Sequence, residues 1–185
     1  MAIHYKLRQG VTLQEQNGDQ LLVDSDGRVV RCRHADEALK RMLGKLESSG
    51  GSTKDLFTAA AQGGGAPVQL TLFLQLMQLE QHGLLTLVLM GAQGAALVLE
   101  PMGRQLQRRT PLKEPFKIRF SRFICIRPEQ GKLQLEVPFA AGRVQLVDAR
   151  LSTLLPALAV PSSTEQLREQ LPDDLRDQWQ DLLTL

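Results

Sequence analysis

The chain has 185 residues, 43% of them apolar and 23% charged, and a net charge of +2. That is ordinary for one large or two small globular domains and too little charge to steer the whole molecule to an anionic partner. No apolar run reaches the roughly 18 residues of a membrane-spanning helix, and the opening MAIHYKLRQG lacks the apolar stretch of a signal peptide, so no membrane association and a cytoplasmic location are expected.

In chain order, short strands are predicted over Tyr5 to Gln14, Gln20 to Asp24 and Val29 to Arg33. Turns at Asn17-Gly18-Asp19 and Asp26-Gly27 join them. A helix follows from about Asp36 to Leu46, with apolar residues at i, i+3, i+4 and i+7. A second helix begins near Ser52 or Thr53, and Gly63-Gly64-Gly65 then turns the chain into a third, opened by Pro67 and closed by Gly83. Leu84 to Leu89 and Ala95 to Leu99 flank Gly91-Ala92-Gln93-Gly94, a hairpin signature. Residues 104–115 read as a basic linker punctuated by Pro111 and Pro115. Beyond it come strands over Phe116 to Ile126, Lys132 to Val137 and Arg143 to Val147. A helix spanning Leu151 to Leu158 follows, kinked at Pro156, and a last helix runs from Pro172 to Leu183.

The second half repeats the first. Tyr5-Lys6-Leu7-Arg8 returns as Phe116-Lys117-Ile118-Arg119, and Gly27-Arg28-Val29 as Gly142-Arg143-Val144. The stripe Leu39, Met42, Leu43, Leu46 returns as Leu151, Leu154, Leu155, Leu158. Ser52-Thr53-Lys54-Asp55-Leu56 returns as Ser163-Thr164-Glu165-Gln166-Leu167, where Ser163 and Gln166 have capping-box spacing. The expected fold is therefore α+β, with two tandem winged helix-turn-helix-like units, each of short antiparallel strands followed by three helices. Residues 1–103 form the first unit and 116–185 the second, which lacks a terminal wing.

Winged helices often bind DNA, but the Pro67 helix, in the recognition position, carries no Lys or Arg, and neither does the wing from Leu84 to Glu100. Phosphates would go unanswered there, so no specific DNA contact is expected. Basic residues gather from Arg104 to Arg127, where they read as a solvated linker and strand face. His4, His34 and His82 have no metal-ligand spacing. Cys32 and Cys125 fall in predicted strands, as buried structural thiols rather than nucleophiles. No local catalytic set is visible, and the chain alone is expected to be no enzyme and to hold no metal.

The Pro67 helix is apolar over an arc of roughly 240°, more than one core requires. One side, near Leu70, Phe73, Leu74 and Met77, is expected to face the unit's own core. The other, near Val68, Leu72, Leu76 and Leu79, is expected to be spare. A peptide groove, packing against the second copy and a seam between two subunits of a homodimer all satisfy that pattern.

The segments FKIRFSRFICIR and KLQLEVPFAAGRVQLVD, with Ser121-Arg122-Phe123, the strand Leu133 to Val137 and Gly142-Arg143-Val144, resemble the N-terminal region of SagB-type dehydrogenases. That family oxidises azolines to thiazoles or oxazoles with FMN during the biosynthesis of ribosomally made peptide natural products. Its first unit is similar to the PqqD-like peptide-recognition element, in which a leader peptide adds a strand to the sheet edge and packs against the third helix. The resemblance implies a peptide site at Val29, Val30, Arg31, Cys32 and Arg33 with Val68, Leu72, Leu76 and Leu79. It implies no cofactor in this chain, and FMN on a partner or missing nitroreductase-like dehydrogenase domain. The expected partners are a precursor (leader) peptide, that dehydrogenase and a cyclodehydratase. A transcriptional regulator and a purely structural dimerisation module are the alternatives.

Overall fold

A computed structural model describes residues 3–62, 67–102, 116–138 and 140–179. The Gly63-Gly64-Gly65 turn, the linker at 104–115, the end of the last predicted helix and the side chain of Val68 lie outside the described residues. The chain is a mixed α+β protein that divides into two compact units, His4–Thr86 and Leu87–Leu185 with Met1–Ile3. The division falls inside a strand rather than in the 104–115 linker.

The N-terminal unit contains β1 (Ile3–Leu7), β2 (Thr12–Gln16), β3 (Asp19–Val23), β4 (Val29–Cys32), α1 (Glu37–Ser48), β5 (Gly51–Ser52), α2 (Thr53–Ala61) and α3 (Pro67–Gln81). The strand expected over Tyr5 to Gln14 is two strands, because Gly10 adopts a positive φ of 85° and the Val11 N–H turns back to the Arg8 carbonyl. β2, β3 and β4 form a separate three-stranded antiparallel sheet. Asn17 and Gly18 both have positive φ, 53° and 82°, as a type I′ hairpin turn requires. Asp36 caps α1 by accepting the Leu39 N–H, and Ser52 with Asp55 makes a full capping box on α2. The core gathers Tyr5, Leu22, Met42, Leu43, Leu46 and Leu56, all buried.

The C-terminal unit contains β7 (Gly94–Pro101), β8 (Lys117–Ile118), β9 (Cys125–Glu129), β10 (Lys132–Glu136), β11 (Gly142–Leu146), a 3₁₀ helix (Ala149–Thr153), α4 (Leu154–Leu158), β12 (Ser162–Ser163), α5 (Thr164–Glu169) and α6 (Asp173–Arg176). β6 (Leu85–Gly91) contributes to both units. The largest sheet has seven strands; its order is β5-β1-β6 in the N-terminal unit and β6-β7-β11-β10-β9 in the C-terminal one. Pro156 does not kink a long helix. The chain runs as 3₁₀ to Thr153 and re-forms as α4, which places Pro156 in a first turn, where its missing N–H costs nothing. The last predicted helix is interrupted: α6 ends at Arg176, a turn follows at 177–178, and Trp179 is helical again.

The repeat is visible in the backbone. β8 pairs with β12 as β1 pairs with β5, and Ser163 with Gln166 boxes α5 as Ser52 with Asp55 boxes α2. Asp148 caps the 3₁₀ helix as Asp36 caps α1. Gln130 and Gly131 repeat the type I′ turn of Asn17 and Gly18, with positive φ of 50° and 79°. Strand pairing makes Tyr5 equivalent to Ile118 and Val30 equivalent to Val144. The sequence match of Tyr5 to Phe116 is thus two residues out of register, which keeps the same face, and that of Val29 to Val144 is one residue out.

Within the C-terminal unit, Asp174 accepts the Ala92 N–H at 2.9 Å from the tip of the β6–β7 hairpin and also takes Arg150 at 3.0 Å, which Asp148 holds from the other side. These hydrogen bonds hold the Asp174 and Asp148 carboxyls below their ordinary range.

Candidate functional site

β4 is the outermost strand of its sheet. Its inner bonds follow from the turn chemistry. The two-residue hairpin makes Gln16 and Asp19 a hydrogen-bonded pair, so Asp19, Leu21 and Val23 bond to β2, while Gln20, Leu22 and Asp24 bond to the other side. The Asp24 N–H indeed donates to the Arg28 carbonyl at 3.0 Å. Val30 and Cys32, opposite Leu22 and Gln20, therefore bond inward, and the backbone groups of Val29 and Arg31 point out from the edge.

Two carboxylates fix this edge. Asp24, just past β3, accepts the N–H groups of Asp26 and Arg28 at 2.9 and 3.0 Å and lies 3.2 Å from the Arg8 guanidinium. Burial opposes its ionisation, but the two N–H bonds and the cation more than offset that, and its carboxyl stays below the usual range. Asp19, at the other end of β3, accepts the His34 N–H at 2.8 Å and the Arg31 Nε at 2.6 Å, and the His34 bond above all lowers its carboxyl too. β4 is thus pinned where the chain enters it and where the chain leaves it. On its faces Val29 and Arg31 are exposed, Val30 is half-buried and Cys32 is buried. Arg33, after the strand, is exposed. Burial pushes the Cys32 thiol up, so it is neutral and a poor nucleophile near pH 7. Cys125, expected to be buried, is exposed on β9.

The helix-face expectation is reversed. Leu72, Leu76 and Leu79 are buried, at 3%, 1% and 1% exposure, and α3 packs on α1 and α2. The free apolar side is Leu70, Phe73 and Leu74, at 68%, 43% and 54%, with Met77 half-buried. Leucines flank the polar stripe Thr71, Gln75, Gln78 on both sides, so periodicity does not choose between them. The signal that does choose is the helix end. The Leu84 N–H bonds the Leu79 carbonyl at 3.0 Å and the Gly83 N–H bonds Glu80 at 2.9 Å, a Schellman motif with Gly83 at φ 68°. That motif brings an apolar residue just beyond the glycine against one in the last turn, here Leu84 and Leu79, both buried. Leu79 fixes the buried face, and Leu72 and Leu76 share it.

A second residue set was not signalled by the sequence at all. β11 is the counterpart of β4, and its outward groups are occupied: β7 pairs along it from Gly142–Pro101 to Leu146–Leu97. Arg143 and Gln145 stand where Val29 and Arg31 stand in the first copy, and they face Glu100 and Val98 of β7. Arg143 adds a cross-strand ion pair to Glu100 at 2.6 Å.

Among the described residues, no group of three or more His, Cys, Asp or Glu side chains is placed to hold a metal, and no helix is long and apolar enough to cross a membrane. No protein-family model matches the chain, and no curated protein matches it.

Two outcomes follow. Leu72→Lys with Leu76→Lys places two unpaired ammonium groups in the core, each costing several kcal/mol, and the N-terminal unit should lose its cooperative melt. Leu70→Lys with Leu74→Lys should melt like wild type. Circular dichroism with a thermal scan checks both. Asp19 and Asp24 have folded pKa values below the unfolded value, so their contribution is complete above about pH 4 to 5 and is lost as pH falls through the folded values. The side-chain carboxyl ¹³C shifts of Asp19 and Asp24 should be flat from neutrality to about pH 5 and move only in stronger acid.

Proposed function

We propose that the chain is a non-catalytic peptide-binding and scaffolding module, built as two winged-helix-like units in tandem, in which an extended leader peptide pairs with β4. The observation that carries this reading is the contrast between the copies. At β11 the outward N–H and C=O groups are satisfied by β7, while at the equivalent edge of β4 no strand lies alongside among the described residues. An open edge with both ends anchored is a template for strand addition, in which main-chain hydrogen bonds supply affinity and side-chain contacts supply selectivity. Because Asp19 and Asp24 already order the strand, little further ordering entropy is lost on binding.

Arg31 is already paired with Asp19 and Arg28 lies 3.9 Å from Asp26, which leaves the exposed Arg33, just past the strand, to favour an acidic residue at one end of a bound leader. With the resemblance to the SagB-type region, the natural setting is an azoline-forming system. The chain would present the precursor to a nitroreductase-like dehydrogenase carrying the FMN, alongside a cyclodehydratase. The role of Val29, Val30, Arg31, Cys32 and Arg33 is retained in this reading through their strand. Leu72, Leu76 and Leu79 act only by supporting the unit's core.

The test first searches the genes neighbouring this chain's gene for a short precursor, whose leader segment is labelled with fluorescein and followed by anisotropy; the absence of any such gene counts against the azoline setting. Val29→Pro deletes an outward N–H and no internal ladder bond, so it should melt close to wild type and weaken binding by about tenfold or more, the loss of one or two net hydrogen bonds. Val30→Pro deletes an inward bond and should lower the melting temperature. Unchanged peptide affinity in a folded Val29→Pro variant would contradict strand addition at β4.

A further inference from the structure

The second copy contains an apolar cavity of about 380 Å³ between the β7-β11-β10 face and α4. Leu135, Val144, Leu155, Leu158 and Ile118 line it. Their counterparts in the first copy are Leu22, Val30, Leu43, Leu46 and Tyr5. Leu22, Leu43 and Leu46 are each 0% exposed and Tyr5 is 3%, whereas Leu155, Leu158 and Ile118 are only half-buried; Val30 and Val144 are half-buried in both copies, and Leu135 is buried.

Two sequence differences open the space. Tyr5 fills the first core with a ring, and Ile118 puts a smaller side chain in its place. α1 is a continuous helix of 12 residues, whereas its counterpart is a 3₁₀ helix followed by a five-residue α4. The shorter, broken helix covers less of the sheet. The apolar row also runs on to the sheet's edge. Ile126 of β9 is paired directly with Leu135 and so lies on the cavity face, at 40% exposure.

We propose that this cavity is a binding site for a small, neutral, apolar molecule, an aliphatic or alkyl-aromatic hydrocarbon. Its size falls in the range of small-molecule pockets. The lining is mostly aliphatic, with Phe120 and Glu136 among it, and a hydrocarbon bound there takes that apolar surface out of water. A charged ligand is disfavoured, because among the described residues the one ionisable group on the lining, Glu136, is engaged by Arg127 at 3.2 Å and no cation lines the space. The site is independent of the β4 edge and stands or falls separately from the peptide-binding reading.

The probe is n-butylbenzene added to the full chain, with ¹³C-methyl NMR and thermal melts. Binding to the folded state should raise the melting temperature with the logarithm of probe concentration. Intermolecular NOEs should appear to methyls of Ile118, Leu135, Val144 and Leu155 and not to Leu22 or Leu43. Ile118→Phe, which restores a ring where the closed copy has one, should melt no lower than wild type and should lose at least tenfold in affinity for the probe. Should that variant not fold, the NOE pattern in wild type decides alone. The absence of NOEs to these methyls, NOEs confined to surface residues such as Phe123, or an undiminished response in folded Ile118→Phe would each overturn the proposal.

Discussion

A strand at the edge of a sheet leaves every second backbone N–H and C=O facing away from its neighbours, and those groups require water or a partner. This chain meets the constraint in two ways in one repeated motif. In the second copy β7 lies along β11 over five paired residues and adds the Arg143–Glu100 ion pair. In the first copy the same edge, β4, has no strand beside it among the described residues, and its order comes instead from Asp19 and Asp24. The two carboxylates accept backbone N–H groups at the two ends of the strand, so β4 is held in shape without its outer ladder. The proposed peptide site, and its acid sensitivity, follow from that difference.

The two copies have diverged unequally. Shared signals persist where they satisfy the backbone: the Ser capping boxes, the Asp N-caps and the type I′ turns recur in both. Side-chain volume and helix length have diverged instead. The first copy is closed around Tyr5 and a three-turn helix. The second has a shortened helix and an apolar cavity at the same level. Backbone satisfaction is a discrete requirement, while core volume can drift a methylene at a time.

Much of the element order was legible in the sequence because it rests on local chemistry. Asn17-Gly18 announces its hairpin, Ser163 and Gln166 their capping box, and the Leu39, Met42, Leu43, Leu46 stripe its buried face. What was not legible is non-local. Nothing near Arg143 signals that β7 will pair with β11, and the compact units consequently divide at Thr86 rather than at the proline-marked linker. Leucines flank the polar stripe of α3 on both sides, so periodicity leaves its buried face open; only the Schellman turn at Gly83, with Leu79 and Leu84 both buried, breaks the tie. Of the candidate site, the Val29 to Arg33 segment is proposed from its resemblance and its open edge, whereas Leu72, Leu76 and Leu79 are core.

Amide hydrogen exchange at four residues tests the central claim most directly. In the free protein, the Val29 and Arg31 amides should exchange quickly while Arg143 and Gln145, bonded to β7, are protected. Saturating leader peptide should slow Val29 and Arg31 and leave Arg143 and Gln145 unchanged. Protection of Val29 and Arg31 before any peptide is added, or no slowing once it is bound, would contradict the account of β4 as an open edge built to receive a strand.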